Sequence, residues 1–274
     1  RTLKTCFSGN FLKHIGDHKV EEWTMGHDSM DMTEINEFLR TCKDLKNLTL
    51  YSTFPDVEVE PIYHLEFLKT VNFIRYNEDK LTSLLISHRE SLKVLHLNDI
   101  SFTVAGFLLS DLKVEEFRVN LAGLPVIENL KANFSIKKLF IEIDYEVQFE
   151  SSHKILESCK GVEKLQITTS KPSVHRETLK VASINMKNLT NLTLKMASFN
   201  SKAVTFANLQ FLEIKKVTTR DEHKSWISIA VNCPKLKVIK ITQLLHLKNE
   251  NYAIPSNDMK NLLEMCKNLE ELYI

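Results

Sequence analysis

A short phrase that recurs along the chain restricts its possible folds more than any other feature. It is first complete at 38–50, FLRTCKDLKNLTL, where a cysteine and two polar residues precede Leu45, Leu48 and Leu50. It returns as ILESCKGVEKLQI (155–167), as LLEMCKNLEELYI (262–274) and, with proline after the cysteine, as ISIAVNCPKLKVIKI (227–241). Near-copies of one phrase mean that a small structural unit is used many times over, so the period is read before anything else.

Reduced to apolar-x-x-apolar-x-apolar, the phrase occurs eleven times. The copies are Val20-Trp23-Met25, Leu45-Leu48-Leu50, Leu68-Val71-Phe73, Leu92-Leu95-Leu97, Val114-Phe117-Val119 and Ile136-Leu139-Ile141. Val162-Leu165-Ile167, Leu189-Leu192-Leu194, Leu209-Leu212-Ile214, Leu236-Ile239-Ile241 and Leu269-Leu272-Ile274 complete them. Their starts lie 20 to 33 residues apart, and most of the intervals fall within the range of leucine-rich repeats. The end of each copy alternates with period two, which predicts a short strand buried on one face. Between copies the spacing becomes helical. Ile35, Phe38 and Leu39 share one helical face before Cys42, as do Ile155 and Leu156 before Cys159, and Leu262 and Leu263 before Cys266. Thr219 and Glu222 stand at capping-box spacing ahead of a helix carrying Trp226, Ile229 and Ala230. Residues 11–25 read as a helix, a turn at Gly16 and a strand. The shortest interval leaves 196–208 too short for a regular helix. The longest leaves 242–257, with His246, Asn249, Asn251 and Pro255, to project as a loop.

A strand-and-helix unit of this size cannot bury its apolar side alone; stacked neighbours close one continuous core. The expected fold is α/β: a leucine-rich-repeat solenoid, or horseshoe, with parallel strands on the concave face and helices on the convex face. One domain is expected over 1–274, with about eleven repeats. The start at Arg1 and the end at Ile274, inside a repeat, read as truncation at both ends of a longer protein. With only six glycines, no flexible linker and no second domain are expected.

Lys and Arg number 36 against 35 for Asp and Glu, which argues against a dedicated nucleic-acid or membrane binder. No apolar run is long enough to span a bilayer, and residues 1–20 lack a signal-peptide pattern. Four of the five cysteines, Cys42, Cys159, Cys233 and Cys266, stand three residues before the first apolar residue of a copy. That is a packing slot for a small hydrophobe. Disulfides between repeats are not expected, because packed helices stand about 8–10 Å apart and bridged Cα atoms lie within about 7 Å. A reducing compartment, cytoplasmic or nuclear, follows. Asn47, Asn133, Asn188 and Asn191 open glycosylation sequons, three of which are the ordinary wording of a repeat strand.

No P-loop, GxGxxG, GxSxG or HExxH motif is present. His14 and His18 have metal-ligand spacing without a third ligand, and His27-Asp28 and His175 lack a nucleophile partner. Glu115-Glu116 and Glu270-Glu271 read as solvated charges at strand starts. Neither catalysis nor a cofactor nor a metal is expected.

The Cys-x-x-Leu-x-x-Leu-x-Leu phrase at Cys42, Cys159, Cys233-Pro234 and Cys266 resembles the cysteine-containing repeats of F-box leucine-rich-repeat proteins. FLKHIGDHKVEEWTM (11–25) is similar to the first repeat after the F-box in many animal members. The F-box itself is not in this sequence, and the repeats at 114, 136 and 209 lack the cysteine. The resemblance implies the non-catalytic substrate receptor of an SCF-type ubiquitin ligase. A Skp-type adaptor would dock through the upstream F-box, and a protein substrate would lie on the concave face. Three alternatives remain open at this stage. One is the sensor region of a nucleotide-binding immune receptor, with a P-loop domain upstream. Another is a secreted or cell-surface module, with a signal peptide and paired cysteine caps. The third is a plain scaffold or inhibitor.

The position between the last two apolar residues of each copy faces outward by alternation. It carries Thr24, Thr49, Asn72, His96, Arg118, Phe140, Gln166, Thr193, Glu213, Lys240 and Tyr273. Nearby outward positions add Lys138, Lys164, Lys195, Lys215 and Lys216, with Glu142 interspersed and Phe140 and Phe211 apolar where solvent is expected. The expected partner site is Arg118, Phe140, Gln166, Lys195, Lys215 and Lys240, because aromatics and cations anchor interfaces disproportionately. The plain alternative is that these are ordinary solvated strand residues.

Overall fold

A computed structural model describes residues 2–5, 20–25, 32–51, 70–74, 83, 85–98, 113–120, 130–143, 149–169, 172–195, 204–217, 222–244 and 256–273. It divides into two compact units, Arg1–Asn129 and Leu130–Ile274.

In the first unit six strands follow chain order: β1 (Thr2–Thr5), β2 (Glu22–Met25), β3 (Asn47–Tyr51), β4 (Thr70–Ile74), β5 (Val94–Asn98) and β6 (Glu116–Asn120). Each pairs parallel with the next, in a register that sets Leu3, Trp23, Leu48, Val71, Leu95 and Phe117 in one row. Helix α1 (Met32–Thr41) crosses from β2 to β3, as a parallel pairing requires. It presses Phe38 onto Trp23, with ring centroids 4.5 Å apart and planes tilted by 59°. Trp23, Leu48, Leu95 and Phe117 are buried.

The second unit repeats the scheme with β7 (Lys138–Ile143), β8 (Lys164–Thr169), β9 (Asn191–Lys195), β10 (Phe211–Val217), β11 (Val238–Leu244) and β12 (Glu271–Tyr273). Its row is Leu139, Leu165, Leu192, Leu212, Ile239 and Leu272, again in parallel pairs. Four helices make crossovers: α2 (Phe149–Ser158), α3 (Pro172–Asn185), α4 (Glu222–Val231) and α5 (Ser256–Met265). A fully buried aliphatic side chain contributes about 1.5–3 kcal/mol. The inward residues Leu139, Leu192, Leu212 and Ile239, each with no exposed surface, therefore outweigh any single surface contact.

The eleven sequence copies are strands, and within each unit neighbouring copies pair in register. Two backbone latches hold that register. The carbonyl of the residue after the first apolar position accepts two consecutive N–H groups from the following repeat. Glu21 O takes Lys46 and Asn47, Lys93 O takes Glu115 and Glu116, and Lys137 O takes Glu163 and Lys164. Glu163, Thr190, Gln210 and Lys237 do the same for the repeats that follow them. The second latch uses asparagine at the position before the first apolar residue. Asn208 donates to Lys187 O and Asn268 to Pro234 O, at 2.8 and 2.7 Å. Side chains beside the first latch carry opposite charges: Glu21–Lys46, Glu115–Lys93, Glu163–Lys137 and Glu270–Lys237, at 2.7 to 3.4 Å. Exposed pairs of this kind are worth at most about 1 kcal/mol each, so they tune the register that packing has set.

The cysteine slot is filled by other buried residues in several repeats, although the repeat at 92 carries exposed Arg89 there. Cys42, Cys159, Cys233 and Cys266 are buried free thiols, and at the corresponding position other repeats bury Asn133, Met186 and Phe206. Burial pushes the Cys42 and Cys233 thiols up to about 11 and the Cys159 thiol up to about 12. Reactive thiolate is thereby suppressed at neutral pH.

Several expectations are corrected. Leu263 does not share the buried face of α5: Leu262 is fully buried and Leu263 is 55% exposed. Thr242 does not begin the long connection, since β11 continues to Leu244, and Asn257 already lies within α5. Residues 204–208 are non-helical, as the short interval predicts. Thr219, Gly16, His14, His18, His27 and the middle of the 242–257 connection lie outside the described residues. Asn133 is unsuited to a glycan, because it is buried and its Oδ1 accepts the N–H groups of Ser135 and Ile136.

Candidate partner-binding face

Alternation along the strands, combined with the parallel register, sorts the second unit's outward residues into rows. One row is Phe140, Gln166, Thr193, Glu213, Lys240 and Tyr273. Two residues towards the strand starts lie Lys138, Lys164, Asn191, Phe211, Val238 and Glu271. Two residues the other way lie Glu142, Thr168, Lys195, Lys215 and Thr242. Neighbours within a row stand about 4.8 Å apart. The described residues between these rows, such as Leu165, Ile167, Leu192 and Leu194, are buried, except half-buried Leu272 on the last strand.

Five of the six expected site residues belong to this unit. Lys215 and Lys240 converge on Glu213, whose side chain is only 12% exposed: Lys215 Nζ lies 3.2 Å from Oε2 and Lys240 Nζ 3.5 Å from Oε1. Thr193 Oγ1 donates to the same Oε2 at 3.3 Å. Lys195 is exposed and sits in direct register with Lys215. Gln166 and Phe140 are half-buried and mutually paired in register, two and three strands from the Glu213 strand. Phe211, also half-buried, is covered in part and stands beside Val238. The residues missed as site members are therefore Glu213 and Thr193. The signal was present, because aligning the repeat copies puts Thr193, Glu213 and Lys240 side by side.

Arg118 belongs to the first unit, where it is exposed on β6 and in register with His96. His96 Nε2 lies 3.3 Å from Glu116 Oε1, and both side chains are about four-fifths covered. Burial lowers the His96 pKa; the bond to Glu116 opposes that shift and the Arg118 charge adds to it. Glu116 is thus less solvated than a strand-start carboxylate was expected to be, whereas Glu115, Glu270 and Glu271 are exposed.

Among the described residues, no group of three or more His, Cys, Asp or Glu side chains could hold a metal ion. None of the described helices is long and apolar enough to cross a membrane.

No protein-family model matches the chain, and no curated protein matches it. Among solved structures, 27 chains match. One, described as "Crystal structure of Rad7 and Elc1 complex in yeast", is 12% identical over 92% of this chain and 88% of that chain, with a TM-score of 0.39.

Proposed function

We propose that this chain is a protein-binding repeat region of the leucine-rich-repeat solenoid type that holds a protein partner on its strand face. In the finer reading it is the substrate-recognition region of an F-box protein. An upstream F-box would dock a Skp-type adaptor of an SCF-type ubiquitin ligase in the cytoplasm or nucleus, and the chain itself would be non-catalytic. One observation carries the binding role. From strand to strand the inward register positions of the repeat copies stay Leu, Ile, Val, Met, Phe or Trp, while the outward ones change chemistry at almost every step. Packing explains the first set; a surface selected for a particular partner explains the second. The cysteine phrase supports the finer reading.

Two measurements test it. Affinity capture of the full-length protein is expected to bring down a Skp-type adaptor, and its absence under gentle conditions rejects the ligase reading. Alanine replacement of Phe140, Gln166, Lys195, Lys215 and Lys240 together, with Arg118→Ala made separately, is expected to lose the other captured protein. Unchanged capture rejects the face.

A further inference from the structure

The lysines of this chain fall into two kinds. At the repeat edges, Lys46, Lys93, Lys113, Lys137 and Lys237 each meet a carboxylate of an adjacent repeat at 3.4 Å or less. On the outward face of the second unit, Lys164 and Lys195 form no ion pair with any described residue. Lys195 is placed directly opposite Lys215 on the neighbouring strand. Like charges facing each other across a strand pair destabilise a sheet. A surface built only for stability would carry the alternating signs that the edges show.

Glu213 adds a second feature. Its largely covered carboxylate ties down the ammonium groups of Lys215 and Lys240, so these two cations are ordered in advance and lose less freedom on binding. Around that trio lie Lys195 on one side and the apolar pair Phe211 and Val238 on the other. The local sum is two net positive charges beside a small apolar step. The described outward rows as a whole hold five lysines, Lys138, Lys164, Lys195, Lys215 and Lys240, against three carboxylates, Glu142, Glu213 and Glu271.

We propose that the outward face of β9–β11 receives an acidic, extended segment of a partner protein, with Lys195, Lys215 and Lys240 engaging its carboxylates and Phe211 and Val238 meeting an apolar residue beside them. This rests on the protein-binding reading above and names the class of its ligand. A nucleic-acid backbone is the less fitting occupant. It repeats its charge at every step and is read by many cations, whereas Glu142, Glu213 and Glu271 interrupt this face. A segment with spaced carboxylates avoids those repulsions.

The test uses the whole 274-residue chain and a fluorescein-labelled twelve-residue peptide that alternates glutamate, leucine and aspartate. A matched peptide of glutamine, leucine and asparagine and a twelve-nucleotide oligothymidylate serve as comparisons, with anisotropy read at low and high salt. The acidic peptide is expected to bind, and to weaken as salt rises. K195E/K215E is expected to weaken it at least about tenfold, and K187E/K235E, at exposed lysines of the turns before β9 and β11, less than about twofold. Should K195E/K215E lose the native circular-dichroism melt, K195Q/K215Q is expected to show a smaller loss of affinity on an intact fold. The proposal is overturned by equal binding of the uncharged peptide, by unchanged affinity in both lysine pairs, or by tighter binding of the oligothymidylate. If it falls while the alanine set above still loses its captured protein, the protein-binding reading stands without an acidic ligand. If the alanine set also changes nothing, both readings fall.

Discussion

The two units share a backbone plan and differ in what they show to solvent. Both set a row of large apolar residues inward, both stack strands in chain order, and both use the double-accepting carbonyl between repeats. Outward, β2–β6 carry mostly Thr and Asn in the central row, ending in His96 and Arg118, with Glu22 and Glu116 beside it. The same rows of the second unit carry five lysines. A scaffold requirement would act on both units alike. The difference therefore resides in positions that folding leaves free, and it separates what holds the molecule together from what it presents.

The sharpest way to break that separation is to mutate adjacent residues on opposite sides of one strand. Trp23→Ala is expected to cost about 3–5 kcal/mol and Leu192→Ala about 2–5 kcal/mol, because both side chains are fully buried. Of their outward neighbours, Thr24→Ala is expected to stay within about 0.5 kcal/mol, and Thr193→Ala, which removes a hydrogen bond to the Glu213 carboxylate, to cost about 1.5 kcal/mol, still less than either inward change. Urea titration followed by tryptophan fluorescence and circular dichroism measures all four; fluorescence is omitted for the Trp23 variant. Similar losses for inward and outward members would dissolve the distinction in whichever unit showed it.

Next in size is a feature of the second unit. Gly161 is buried where the turn after α2 meets the preceding repeat, and a Cβ there would come within 2.1 Å of the Phe134 carbonyl oxygen. The close approach follows from a local exchange of partners. Residues 130–137, before β7, are non-helical, and Asn133 bridges to Cys159, donating its N–H to Ser158 O at 2.7 Å. Gly161→Ala is expected to cost about 3 kcal/mol, since backbone on both sides leaves little room to relax. Ser91→Ala, in the comparable turn of the first unit, is expected to cost under about 1 kcal/mol. Denaturation midpoints compare the two, and a neutral Gly161→Ala would mean that the turn opens easily.

How much of this was legible in the residues depends on which force set each element. Strands and register were readable because a period-two apolar triplet has one way to face the core and each copy aligns with the next. β1 was not, since TLKT offers Leu3 alone where the repeat phrase has three apolar residues. Helix α3 was not named in advance because fully buried Thr178 interrupts the apolar face that Leu179, Ala182 and Met186 otherwise make. Leu263 was misassigned because a helix ending at Met265 packs through Leu262 and the following Cys266, leaving its neighbour outside. The lysines of the candidate face were readable as outward residues. Their convergence on Glu213 required the side-chain geometry.

The smallest effect concerns protons, and it bears on both units at once. Burial lowers the pKa of His96 in the first unit and of His153 on α2 in the second from the ordinary 6.5. Each histidine therefore binds its proton less readily when folded than when unfolded. By linkage, its contribution to stability is complete above pH 6.5 and declines as the pH falls through its folded pKa. Around His96 stand Glu116, whose bond favours the charged ring, and Arg118, whose charge opposes it. His153 faces Glu157 and Glu177, both favouring the charged form. Lowering the pH from 7.5 to 5 is expected to reduce the melting temperature by a few degrees, with His96→Gln and His153→Gln each removing part of that slope. The two units part company again at this point. His96 lies in register with Arg118 on the strand face and His153 on α2, so any pH dependence of partner capture through Arg118 is expected to vanish in His96→Gln and persist in His153→Gln. Equal loss in both variants would mean that the titration acts through the fold of each unit and not through what its strands present.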